Sequence, residues 1–483
     1  MKALNLRFAA GLPAALALAS IAYAGPDPAA LVDAQAPQIE KTALRVWDLA
    51  EIGYKEVESS RVLQEQLQSA GFKIDKGVAG MPTAFIATWS RGTGPVIGLL
   101  AEFDALPGLS QAATPVRKPR PDKQAAHACG HNLFGAASVG AAIALKQWLD
   151  ANRVQGEIRV FGTPAEEGGS GKVYLVRGGF FDDVDVALHW HPGDRNTARQ
   201  TRALSNVSGK FRFYGVAAHA AQAPDQGRSA LDAVEAMNFM VNAMREHVPQ
   251  DARLHYVITN GGAAPNVVPE FAEVYYYVRH VDPQVVLGIV ERVKKAAEGA
   301  ALGTGTRFEF EQTGGTYSTL PNDTLGKLMD ATLHEVGTSQ WNEQELAGAA
   351  QIRSTLTDED ARNEGGWREI ENYTFNEVNF GSTDVGDVSW VTPTVGLRTA
   401  TWVPGTAAHS WQAAAASGMS IGIKGAVVAA KALARTAQKL YENPDLIKQA
   451  RAEFEASRGA DFAYKALVGD RAPPLDYRDQ KKQ

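Results

Sequence analysis

The chain has 483 residues, more than one comfortable hydrophobic core holds, so at least two domains are expected. Its formal charge is -6, from 48 Lys and Arg against 54 Asp and Glu, and no basic stripe interrupts it, so nucleic acid is not an expected partner. Cys129 is the only cysteine, which excludes an intramolecular disulfide framework.

The first 24 residues read as an export signal. Lys2 and Arg7 precede an apolar run from Phe8 to Ala22, and Ala22-Tyr23-Ala24 follows as a small-residue cleavage site. Cleavage after Ala24 would leave a periplasmic or secreted protein. The apolar run is too short for a comfortable membrane span and no cysteine near it could carry a lipid, so no stable membrane anchor is expected.

From Ala36 to Ala70, Ile39, Leu44, Trp47, Leu49, Val62, Leu63 and Leu67 recur at helical spacing, and Gly71 closes the run. Short apolar strands are predicted at Ala84–Thr88 and Val96–Ala101, followed by a loop rich in Pro, Lys and Arg over 111–126. Leu133–Leu149 reads as a buried helix, and Glu157–Phe161 and Val184–His189 as strands. This alternation predicts an α/β fold, a mostly parallel sheet covered by helices. The texture changes near Ser205. Lys210–Tyr214, Glu273–Val278 and Arg307–Gln312 alternate as strands, with helices at Ser229–Met244 and Val285–Ala300, which suggests a compact α+β insertion. The first style returns with a strand at Pro393–Leu397 and a helix at Ser417–Ala437. The expected order is a signal peptide over 1–24, one domain split between 25–205 and 316–440, an inserted domain over 206–315, and a helical extension over 441–483 ending in disorder.

His127-Ala128-Cys129-Gly130-His131-Asn132 sets the cysteine between two of ten histidines. Thiolate beside imidazole suits a zinc-like ion; the alternative is a buried free cysteine with incidental histidines. Glu166-Glu167 follows a predicted strand, so one carboxylate can bind metal while its neighbour moves protons, unless the pair is a solvated turn. The next run, Gly168-Gly169-Ser170-Gly171-Lys172, fails as a phosphate loop because its first glycine would fall at Glu166 and Val173 replaces the required hydroxyl. His189-Trp190-His191-Pro192 ends another strand with both imidazoles on one side, so that one can bind metal and the other support it. His409 stands in a polar break, and Gly381-Ser382-Thr383-Asp384 reads equally well as turn chemistry. His219 and Asn266, in the insertion, are neutral donors suited to an oxyanion or a carboxylate. There is no G-x-S-x-G elbow, no second zincin histidine after His334-Glu335, no G-x-G-x-x-G helix start and no papain-like context around Cys129.

In order, Cys129-Gly130-His131, Glu166-Glu167, His189, His219 with Gly227-Arg228-Ser229, Asn266-Val267-Val268-Pro269 and His409 resemble the M20 metallopeptidase/amidohydrolase family over roughly 35–440. Glu102-Phe103-Asp104-Ala105-Leu106-Pro107 resembles the variant His-x-Asp motif of its amidohydrolase branch, subfamily D. Gly108-Leu109-Ser110-Gln111 and the run from Ser382 to Trp390 are similar to aminobenzoyl-glutamate utilisation B-like members, whereas Asn132 stands where auxin-conjugate hydrolases carry Asp. The resemblance implies a split catalytic domain with a lid or dimerisation domain at 206–315. It implies that Cys129, His131, Glu167, His189 and His409 take one or two divalent ions, manganese or zinc, with Glu166 as general base. His219 and Asn266 would contact substrate, His219 across a homodimer. The implied reaction is hydrolysis of the amide bond of small N-acyl or N-aroyl amino acids. A dipeptidase or carboxypeptidase with the same metal set, and an exported non-catalytic binding protein on the same fold, are the alternatives.

Overall fold

The computed structural model describes residues 25–357 and 365–479, so the expected signal peptide lies outside the described residues. Six strands form the main sheet in the order Lys73–Lys76, Phe85–Arg91, Gly156–Thr163, Val96–Glu102, Val186–Gly193 and Thr394–Ala400. The last four run parallel, and the first two join them through antiparallel pairing at one edge. The α/β reading therefore holds. Val96–Glu102, with the sequence VIGLLAE, is buried along nearly its whole length, as a parallel strand covered on both faces must be.

Helices Pro28–Leu49, His131–Asn152 and Ser420–Glu442 pack on one another and on this sheet. The small residues of His131–Asn152 permit that closeness: a Cβ on Gly135 would come within 2.7 Å of the Glu102 carbonyl, and one on Gly140 within 2.5 Å of Ile39. Such contacts exclude any larger side chain without a shift of backbone or neighbour.

A second sheet is antiparallel throughout, in the order Arg253–Asn260, Phe271–His280, Ser205–Tyr214 and Arg307–Thr316. Helices Ala230–Met244 and Pro283–Thr304 cover one face and enclose Phe211, Val234, Met237, Val274 and Val293 in a separate core. Strict alternation turns Lys210, Arg212, Tyr275 and Tyr277 to the other face, toward the main sheet's cleft.

Three details differ from the sequence reading. The helix expected over Ala36–Ala70 is two helices, Pro28–Leu49 and Val57–Ser69. Ala50 and Tyr54 take left-handed φ of 48° and 62° between them, and Tyr54 then donates to the Gly169 carbonyl at 2.7 Å. The helix expected at Ser417–Ala437 begins at Ser420 and runs to Glu442, after a turn at Gly418 where a Cβ would meet the Trp47 ring at 2.5 Å. The tail expected to end in disorder instead packs as far as Asp479: after the helix Pro444–Arg458, Ala466, Leu467 and Val468 are buried. Arg177 holds this segment by donating to the carbonyls of Gly469 and Arg471, and residues 480–483 lie outside the described ones. Among the described residues no helix is long and apolar enough to cross a membrane.

Candidate active site

The carboxyl ends of the parallel strands open onto one cleft of about 1090 Å³, roofed by the second sheet. Strand Val96–Glu102 ends in Glu102 and leads to Asp104; strand Gly156–Thr163 leads to Glu166 and Glu167; strand Val186–Gly193 carries His191. Cys129 and His131 flank Gly130, which begins the long helix at φ 77°. A Cβ there would lie 2.7 Å from the Pro192 side chain, so glycine alone lets Cys129 and His131 close on His191.

Three overlapping donor groups result: Cys129, His131 and His191; Cys129, Glu167 and His409; His131, Glu166 and Glu167. Within each, the ligand atoms lie within 4.8 Å of one another. Sulfur, imidazole nitrogen and carboxylate oxygen together fit a borderline divalent ion. His131 Nε2, Glu102 Oε2 and Glu167 Oε1 are buried without a hydrogen bond, although His131 Nε2 lies 3.0 Å from Glu102 and Glu167 Oε1 lies 3.1 Å from His409 Nε2. Unpaired buried polar atoms converging on one point are costly unless a cation engages them. The residues fit the metal that the resemblance implies.

The imidazoles are oriented for that task. His131 Nδ1 meets Asp104 at 2.8 Å, leaving Nε2 for the cluster. His191 Nδ1 meets its neighbouring Pro192 carbonyl at 2.7 Å, which assigns the proton to Nδ1 and the lone pair to Nε2, 3.5 Å from Cys129 Sγ. His409 adopts φ 62° and donates its N–H to the Ala128 carbonyl at 2.9 Å, which ties it beside Cys129. Burial, with Arg398 nearby, holds the His191 imidazolium well below its usual range. The close approach of the Cys129 and Glu167 side chains pushes His409 up to about 10. Burial opposes the charged form of His131, but Cys129, Glu102 and Asp104 outweigh it and raise the group. An anion-rich cluster of this kind requires positive charge, which protons and a divalent ion compete to supply.

Burial, then Glu102 and Glu167, pushes the Glu166 carboxyl well above the usual carboxylate range. Its turn is clamped from two sides: Asp104 accepts from Glu167 N at 2.9 Å and the buried Glu56 accepts from Ala165 N at 2.8 Å. Beneath lies Lys172, fully buried, with Nζ 2.7 Å from both Glu102 and Asp384. Asp384 also accepts from Lys172 N at 2.9 Å, so the residue read as turn chemistry anchors the site's floor. The tail closes one side, where Tyr477 donates to the Glu167 carbonyl at 3.0 Å and Arg478 donates to the same oxygen.

Of the residues expected to bind metal, the structure gathers Cys129, His131, Glu167 and His409, with Glu166 among them. It does not place His189 in any donor group among the described residues; His191 stands there instead. His189 sits two residues further from the strand end, its ring over Gly396, where a Cβ would meet Nε2 at 2.3 Å. Burial, then Lys172 and Arg398, pushes that ring down to about 3. His219 and Asn266 stay together but are exposed and outside this chain's cleft. His219 Nδ1 accepts from Gln222 N at 3.0 Å, and the Asn266 carbonyl accepts from Ala220 N at 3.0 Å. Sequence reading met Lys172 only in a rejected phosphate-loop match and passed over Arg398, which belongs to no spaced motif.

The model of peptidase family M20/M25/M40 matches residues 98–357. A p-aminobenzoyl-glutamate hydrolase component from Escherichia coli strain K12 is 42% identical over 449 residues, which cover 88% of this chain and 93% of that protein. The chain belongs to peptidase family M20/M25/M40. It is a metal-dependent amidohydrolase acting on carbon–nitrogen amide bonds. Xaa-Arg dipeptidase of Mus musculus is 29% identical over 439 residues, 88% of this chain and 90% of that one. A dinuclear metal binding peptidase of the M20 family from Bacillus subtilis shares the fold, with TM-score 0.58 and 18% identity over 85% of this chain and 99% of that one.

Proposed function

We propose that this protein hydrolyses the amide bond of N-acyl or N-aroyl amino acids of the aminobenzoyl-glutamate type. The observation that carries the reading is the placement of Glu166 inside a sulfur, nitrogen and oxygen donor cluster at the sheet's carboxyl edge. Cys129, His131, Glu167, His191 and His409 would hold one or two divalent ions, manganese or zinc. When bound, such an ion supplies positive charge that polarises the scissile carbonyl and acidifies water. Glu166, held protonatable by burial, would accept a proton from the attacking water and return it to the leaving amine. Asp104 would keep His131 in one orientation through Nδ1, and the Lys172–Glu102–Asp384 network would hold the floor rigid.

The 206–315 segment would serve as lid and dimerisation unit. Its edge strand Arg253–Asn260 leaves Tyr256, Val257 and Ile258 exposed, and an unpaired apolar edge favours pairing with a second copy. His219 and Asn266, exposed on their own chain, would then serve the partner's cleft. Export and cleavage after Ala24 rest on the sequence of the first 24 residues. The likeness to Xaa-Arg dipeptidase supports a second reading, a dipeptidase on the same site.

A panel of N-acyl amino acids and dipeptides assayed with metal-loaded protein separates the two, and preference for dipeptides would overturn the first. Glu166→Gln is expected to keep its metal and lose about 10²–10⁴-fold in kcat, since that is the range supplied by general-base catalysis. Wild-type activity in that variant would remove Glu166 from the role.

A further inference from the structure

Strand Thr394–Ala400 is buried at every position except Arg398. Arg398 pairs in parallel register with His191, so its side chain stands one strand from the donor cluster and on the same face. Its stem lies along Gly193, where a Cβ would be 3.6 Å from its own Cβ, and its backbone is tied to Thr197 on the far side. The guanidinium opens into the cleft.

Among the described residues the side chain of Arg398 makes no hydrogen bond or ion pair. Of the cleft's other cations, Arg279 also lacks an ion pair, but it lies on the roof against the Tyr277 ring with Nε buried; the rest are paired. Lys172 is held by Glu102 and Asp384. Lys210 and Arg212 share Glu273, and Arg199 meets Glu371 at 3.6 Å. Arg471 and Arg478 donate to the carbonyls of Gln312 and Glu167. Asp194, the carboxylate whose charge acts on Arg398, already accepts from Gly405 N at 2.9 Å and faces Arg195 at 3.7 Å. A guanidinium stays charged at any physiological pH, and this one keeps its whole fork of donors free for an anion that enters the cleft.

We infer that Arg398 binds the α-carboxylate of the amino-acid half of the substrate. The inference rests on the amide-hydrolysis reading and names the group that reading leaves open. Distance selects the α-carboxylate. In an N-acyl amino acid, its carbon is separated from the scissile carbonyl carbon by only the amide nitrogen and Cα, roughly 3–4 Å through space. Adjacent strands lie about 4.8 Å apart, so a carbonyl held at Cys129 and His191 puts that carboxylate beside Arg398. A planar, forked donor set matches a carboxylate with two parallel hydrogen bonds. The amino-acid half would thereby be recognised from the catalytic floor as well as from the roof.

The test uses metal-loaded protein with p-aminobenzoyl-glutamate and its α-carboxamide. Binding to Glu166→Gln protein is measured by calorimetry, and turnover is measured with Glu166 intact. The wild-type sequence is expected to prefer the free α-carboxylate by about 100-fold, the loss typical when one partner of a desolvated charge pair is removed. Arg398→Met should cut that preference below about 10-fold at unchanged metal content, raising KM more than it lowers kcat. Arg398→Lys should restore part of it, because a point charge replaces only some of a forked contact. Full preference in Arg398→Met overturns the inference, and so does equal weakening of both ligands together with loss of metal. Absence of turnover in wild type would instead count against the hydrolysis reading, and the binding preference would still decide the role of Arg398.

Discussion

Replacing Lys172 by methionine isolates the network beneath the site. The Lys172 ammonium has no exposure and lies 2.7 Å from each of two carboxylates, both themselves buried. Removing one partner of a buried ion pair costs on the order of 3–5 kcal/mol, because the charge left behind is uncompensated. Here two carboxylates are left, and their charges also raise the Glu166 carboxyl nearby, so the upper end, about 5 kcal/mol, is expected. Burial already raises the Glu102 and Asp384 carboxyls while Lys172 lowers them. Without the lysine both rise further. A carboxyl whose folded pKa exceeds its unfolded value stabilises the fold below the unfolded pKa and loses that contribution as pH climbs through the folded one. The deficit of Lys172→Met should therefore be larger at pH 8 than at pH 5, changing by up to about 1.4 kcal/mol per pH unit for each carboxyl that titrates. Tryptophan fluorescence during guanidinium unfolding is the assay, and it reports the main sheet: Trp148 and Trp190 are buried there, and residues 205–316 contain no tryptophan. Lys172→Met combined with Glu102→Gln and Asp384→Asn should recover most of the loss. A single variant within about 1 kcal/mol of wild type at pH 8, or one with an unaltered pH dependence, would refute the reasoning.

His191→Ala is expected to lose metal measured by mass spectrometry of the gel-filtered protein, whereas His189→Ala should retain it; the opposite result would return the ligand role to His189. Asp387 is buried, accepts from Tyr317 N at 3.0 Å and Tyr464 at 2.7 Å, and is pushed up to about 7 by burial. Its contribution to stability is full below the usual aspartate range and lost as pH rises through about 7, so Asp387→Asn should flatten the decline between about pH 4 and 7 in the same unfolding assay; parallel wild-type and variant profiles would count against that burial effect.

Much of this protein is written locally. The change from alternating strands and helices to an α+β insertion near Ser205 is a change of period, and period depends only on neighbours in sequence. The same holds for Cys129 and His131 on either side of Gly130, and for Glu166-Glu167 at a strand end, where spacing by itself brings donors together. Tertiary structure decided the rest. His189 and His191 share one face of one strand and period cannot choose between them; the choice was made by Gly396 beneath one ring and by the Pro192–Gly130 contact beside the other. Lys172 reads as a loop lysine until Asp384, 212 residues away, reaches it across the core. Arg398 falls just past the strand expected at Pro393–Leu397, and only its register sets it opposite His191. The tail reads as too charged to order, yet Ala466, Leu467 and Val468 are buried, Arg177 donates into it from the main domain, and its own Arg478 donates to the Glu167 carbonyl. In each case the deciding partner is remote in sequence, and only packing brings it within a few ångströms.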